Sequence, residues 1–151
     1  MLVCLLAACQ PDTSCRQSIN VAAGVVLHGL YVDSLGEASE FKAWDSVTVQ
    51  GVGSDSVLYN NSYTVSRMLL PLHTDTNMTA YSILWHEEYD TLYIRHTNTM
   101  HFISMACGCA IYHLIDTAWV SGMQIDSIKI VNSAVEAVAQ DNIRIYVKIE
   151  N

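Results

Sequence analysis

The sequence predicts an all-β chain: a single antiparallel β-sandwich, immunoglobulin-like, with about 7–9 strands and minimal helix. Apolar and polar residues alternate with period two through most of the chain, as they do on half-buried strands. Turn-forming clusters interrupt these runs, as they do between the strands of an antiparallel sandwich or barrel. These clusters are Gly53-Ser54-Asp55, Asn60-Asn61, Asp75-Thr76-Asn77 and Gln140-Asp141-Asn142. Helical periodicity is almost absent.

The elements follow in chain order. SINVAAGVVL, 18–27, sets Ile19, Val21, Ala23, Val25 and Leu27 on one face. SLGEASEFK, 34–42, holds polar helix formers but also a glycine, and has little amphipathic face; it is one of two helix candidates. WDSVTVQGV, 44–52, SVLYN, 56–60, and SRMLLPL, 66–72, read as strands. Pro71 cannot donate to a ladder, so the last of these belongs at an edge or a bulge. TAYSILWH, 79–86, opposes Tyr81, Ile83 and Trp85 to Ser82 and His86, and YDTLYIRH, 89–96, opposes Leu92 and Ile94 to Thr91, Tyr93 and Arg95. AIYHLI, 110–115, reads as a buried strand. IDSIKIVN, 125–132, places Ile128 and Ile130 together. The alanine-rich 133–139 is the second helix candidate, one turn or a strand continuation. NIRIYVKI, 142–149, alternates Ile143, Ile145, Val147 and Ile149 with Arg144, Tyr146 and Lys148.

With 151 residues, one domain is the expected count. An apolar fraction of 51% against 15% charged excludes a disordered chain. The net charge is −8 and the seven Lys and Arg are scattered, whereas a phosphate-binding surface needs clustered cations. Nucleic acid and anionic lipid heads are thereby disfavoured as partners. The run Met105–Ile115 is broken by Gly108, Cys109 and His113, and falls short of the ~20 apolar residues that a spanning helix needs.

The N-terminus argues for a different membrane link. Leu6-Ala7-Ala8-Cys9 has the order of a bacterial lipobox, in which small residues admit a signal peptidase and the thiol carries the lipid. No Lys or Arg precedes Cys9, so residues 1–8 read as a truncated signal peptide whose true start lies upstream. Residues 9–15 then form the lipidated N-terminus and a short tether, and 16–151 the sandwich domain. Gln10 follows Cys9 without a nearby acidic run, which points to the outer membrane, facing the periplasm. If Cys4 leaves with the signal and Cys9 carries lipid, Cys15, Cys107 and Cys109 are left as disulfide candidates in an oxidising envelope. Cys15–Cys107 is favoured and Cys15–Cys109 is nearly as good. A bridge between Cys107 and Cys109 would be strained.

Several segments together resemble a family of small, uncharacterised Bacteroidetes lipoproteins classed as a domain of unknown function. They are Cys9 with Cys15, Leu70-Pro71-Leu72, Asp90-Thr91-Leu92-Tyr93-Ile94, Phe102-Ile103-Ser104 with Ala106-Cys107-Gly108, and Asn142-Ile143-Arg144-Ile145-Tyr146. The resemblance covers most of the mature chain. It implies an envelope lipoprotein with a β-rich domain, and brings no catalytic residue, cofactor or substrate.

The densest reactive cluster is MHFISMACGCAIYH, 100–113. Its Met100, His101, Met105, Cys107, Cys109 and His113 combine soft sulfur with imidazole, the donor set that suits Cu(I). The competing reading is a strand with filler methionines and one structural disulfide. HEEYD, 86–90, is not the zinc-protease HExxH and reads as a turn between two strands. No Ser sits in G-x-S-x-G, and Gly51-Val52-Gly53-Ser54 lacks the third glycine of a dinucleotide loop. Asp75-Thr76-Asn77 lacks the glycine and the terminal Glu of a calcium loop. Tyr89 and Tyr93 share the polar face of their strand, where exposed aromatics can form a protein interface or stack on sugars. The resulting expectation is a non-enzymatic, outer-membrane-anchored binding or accessory module without a cofactor, contacting an envelope protein or glycan. The alternative is an envelope copper-binding or thiol-redox protein built on 100–113.

Overall fold

A computed structural model describes residues 14–149. Residues 1–8 and Cys9, on which the signal and lipid expectations fall, lie outside the described residues. Eleven strands form two sheets, and no helix occurs among the described residues. The strands are β1 (Ala23–Asp33), β2 (Gly36–Lys42), β3 (Val47–Gly51), β4 (Val57–Ser62), β5 (Arg67–Leu70), β6 (Met78–Trp85), β7 (Glu88–Ser104), β8 (Gly108–Ser121), β9 (Ile125–Ile130), β10 (Ala134–Val135) and β11 (Asp141–Lys148). One sheet runs β2-β1-β11-β9 with β5 also paired to β1; the other runs β10-β8-β7-β6-β3-β4. The expected all-β sandwich is what the chain forms.

The core lies where the two inner faces meet. Ala23, Val25 and Leu27 of β1, Met68 and Leu70 of β5, and Ile143, Ile145 and Val147 of β11 come from one sheet. Val47 and Val49 of β3, Tyr81, Ile83 and Trp85 of β6, and Leu92 and Ile94 of β7 come from the other. Each set is the period-two apolar face of its strand, removed from water at roughly 25 cal/mol per Å². Trp44 closes one end, fully buried and edge-on to Trp85 at 5.2 Å.

Several local readings change. SLGEASEFK is no helix: after Gly36, whose φ of 125° suits a residue without Cβ, it runs as β2 antiparallel to β1. Pairing with a neighbouring strand outweighs weak helix propensity here. The 133–139 stretch gives the two-residue β10, which pairs with β8. Residues 18–22 precede β1 and Ile19 is exposed, whereas β1 itself continues to Asp33. These extra short strands raise the count above the expected range. One pair, β1 with β11, is parallel, bringing the first and last strands together. Gly24 makes that approach possible, because a Cβ there would collide with the Gln140 carbonyl. Arg67 of β5 reaches across to pair with Asp141 at 2.5 Å. Pro71 follows directly after β5, which among the described residues pairs with β1 alone, in keeping with an edge.

Candidate binding face on the six-stranded sheet

Alternation in β7 sends Asp90, Leu92 and Ile94 inward and Tyr89, Thr91, Tyr93 and Arg95 outward. The antiparallel register sets Tyr93 opposite Trp119 of β8, and directly opposed residues share a face. The two rings stack at 5.2 Å with planes 9° apart, and the Arg95 guanidinium lies 6.0 Å from the Trp119 ring centre. A cation near an aromatic face is held by the ring quadrupole. Tyr89 is 66% exposed and Trp119 38%. On the β6 side, Ala80, Ser82 and Leu84 stand opposite Tyr93, Thr91 and Tyr89, so the outward surface mixes small, hydroxyl and aromatic groups.

Tyr89 and Tyr93 therefore do share the outer face. Trp119 was not anticipated, because residues 116–121 were not read as strand. The alternation of Thr117, Trp119 and Ser121 with Ala118 and Val120, both packed on the core, was the available signal.

The reactive residues of 100–113 are spread over a hairpin. Met105 lies in the turn between β7 and β8. Cys107 is joined to Cys15 with Cα atoms 4.7 Å apart, and Cys109 is a free, exposed thiol. His101 stacks on Tyr112 at 4.6 Å, and Met100 is exposed. His113 is buried and bonded elsewhere. Among the described residues no three His, Cys, Asp or Glu side chains converge on a point that could hold a metal.

His113 belongs to a polar network at the mouth of the core. Its Nδ1 and that of His96 each lie 2.7 Å from Asn98 Oδ1, while Asn98 Nδ2 donates to the carbonyls of His73, Thr74 and Thr76. Three carbonyl partners fix the amide orientation, so both imidazoles carry their proton on Nδ1. His96 Nε2, 2.8 Å from Thr79 Oγ1, then accepts from that hydroxyl, which itself accepts from the His73 N–H. Burial and the neighbouring His96 push the His113 pKa down to about 4, and burial also lowers that of His96. Two neutral histidines thus clamp the loop after β5.

The HEEYD segment is the turn it was read as. His86 and Glu87 connect β6 to β7, and His86 stacks on Trp85 while Asp90 points inward. The Asp90 carboxylate accepts from the backbone N–H groups of Met123, Gln124 and Ile125.

No curated protein and no solved structure matches the chain. One family does match, described as a family of unknown function (DUF6452), over residues 46–147. The matched stretch begins just before β3 and ends within β11, and so takes in the whole six-stranded sheet, the aromatic face and the histidine network. The chain belongs to this family of unknown function (DUF6452).

Proposed function

We propose that the chain is a lipid-anchored, non-enzymatic binding module of a bacterial cell envelope, of the lipoprotein type that its motifs resemble. Cys9 carries the lipid in the periplasm-facing leaflet of the outer membrane, and the outer face around Tyr89, Tyr93, Arg95 and Trp119 contacts a partner protein. The observation that carries this reading is the Cys15–Cys107 disulfide six residues after the lipobox cysteine. Disulfides persist in oxidising compartments and are rare in the cytosol. The face itself favours a protein partner: Trp, Tyr and Arg dominate binding energy at protein interfaces.

The test is made in the native host. The protein should take up an alkyne-tagged fatty acid and fractionate with the outer membrane, and Cys9→Ser should abolish both. A photo-crosslinker at Thr117, beside the stack, should capture one protein, and Trp119→Ala or Arg95→Ala should cut the yield at least tenfold. An unacylated protein in the cytosolic fraction, or crosslinks indifferent to both substitutions, contradicts the proposal.

A further inference from the structure

We infer that the tip of the β7–β8 hairpin is a second membrane contact, seated in the interfacial layer of the bilayer that holds the lipid on Cys9. The inference rests on the lipid-anchor reading. The disulfide ties this tip to Cys15, and Cys15 is six residues from Cys9. Six residues span at most about 20 Å even when fully extended, so the lipid cannot lie far from the hairpin.

The tip has the composition such a contact needs. Between Arg95 and Asp116 the chain contains no Asp, Glu, Lys or Arg, although the whole protein carries a net charge of −8. Met100 is 70% exposed, Phe102 58% and Met105 93%. The register places Met100 opposite Ile111 and Phe102 opposite Cys109, which makes one apolar face. The other face carries the His101–Tyr112 stack, and His101 and Tyr112 line a groove with Gln17, Ser18 and Val138. Apolar and amphipathic rings of this kind settle at the boundary of headgroups and acyl chains. The anchor makes the encounter intramolecular, so even a weak contact is occupied.

The free thiol of Cys109 offers the probe. An environment-sensitive fluorophore is attached to it in the acylated full chain, which is bound to vesicles of phosphatidylcholine and phosphatidylethanolamine. Emission should shift to the blue and be quenched by lipids bearing a nitroxide near the headgroup. Phe102→Asp with Met105→Asp, both exposed positions, should reduce that quenching several-fold. In the unlabelled protein, amide exchange over residues 100–110 should slow on vesicles relative to detergent. Acylated, vesicle-bound protein with aqueous emission, no quenching and unchanged exchange overturns this inference and leaves the anchor standing. A free thiol at Cys9 with no vesicle binding overturns the anchor reading, and the inference with it.

Discussion

His113 and Asp90 show how much depends on single polar residues inside the core. An unfolded chain protonates its histidines as pH falls through their ordinary 6.5, whereas folded His113 stays neutral until about 4. The unfolded state therefore binds more protons in that window, and stability falls with pH. The contribution is intact above pH 6.5 and lost progressively toward pH 4. Urea midpoints measured from pH 7.5 to 4.5 should fall steadily, and His113→Gln should flatten the slope; a midpoint unchanged over this range contradicts the network as drawn. Asp90→Ala strands three backbone donors around a buried site, and should cost about 3 kcal/mol in a denaturant melt. Gly122→Ala should be damaging for a related reason, because its Cβ would meet the Asp90 carboxylate and its φ is 148°. None of these partnerships could be read from the sequence. His113 looked like a soft-metal ligand beside two cysteines, and only the pairing of β7 with β8 reveals its place beside Asn98.

Among the elements, the β6–β7 hairpin carries an improvable turn. His86 and Glu87 both have positive φ, 48° and 67°, the conformation of a two-residue type I′ connection. Side chains with a Cβ hold that conformation at a cost, so Glu87→Gly should stabilise the protein by about 0.5 kcal/mol, after glycine's greater freedom in the unfolded chain is set against the relief. A lowered melting temperature would show that Glu87 has a contact worth more than the strain. The central parts of β6, β7 and β11 were legible because each alternates cleanly between core and solvent. The half of β7 beyond His96 was not, since residues 97–104 lie outside the core and carry exposed Met100 and Phe102 with no alternation between inside and outside; nor was the end of β8, where only Ala118 and Val120 pack on the core. SLGEASEFK was ambiguous for the same reason, because β2 is mostly exposed and its strand form comes from its pairing with β1.

At the scale of the whole molecule, the disulfide and the parallel β1–β11 pair fasten the beginning of the described chain to its late strands. Cys15 and Cys107 are separated by 92 positions, and closing so long a loop removes unfolded-state entropy worth at most about 4–5 kcal/mol. Cys107→Ser should lower the guanidinium midpoint accordingly, and reductant should have the same effect on the unmutated protein. Cysteine spacing favoured Cys15–Cys107 with Cys15–Cys109 nearly as good, and Cys15–Cys107 is the bond that forms; the margin was narrow because Cys107, in the turn, and Cys109, in β8, are only two residues apart. Lipid anchor, oxidised bridge and uncharged hairpin tip form one chain of inference about where this domain resides. Its most direct test is the intact mass of the protein extracted from native membranes without reductant. The predicted species begins at Cys9, carries acyl chains there, and is two hydrogens lighter for the Cys15–Cys107 bond. A species with the leader still attached and all thiols reduced would contradict the account.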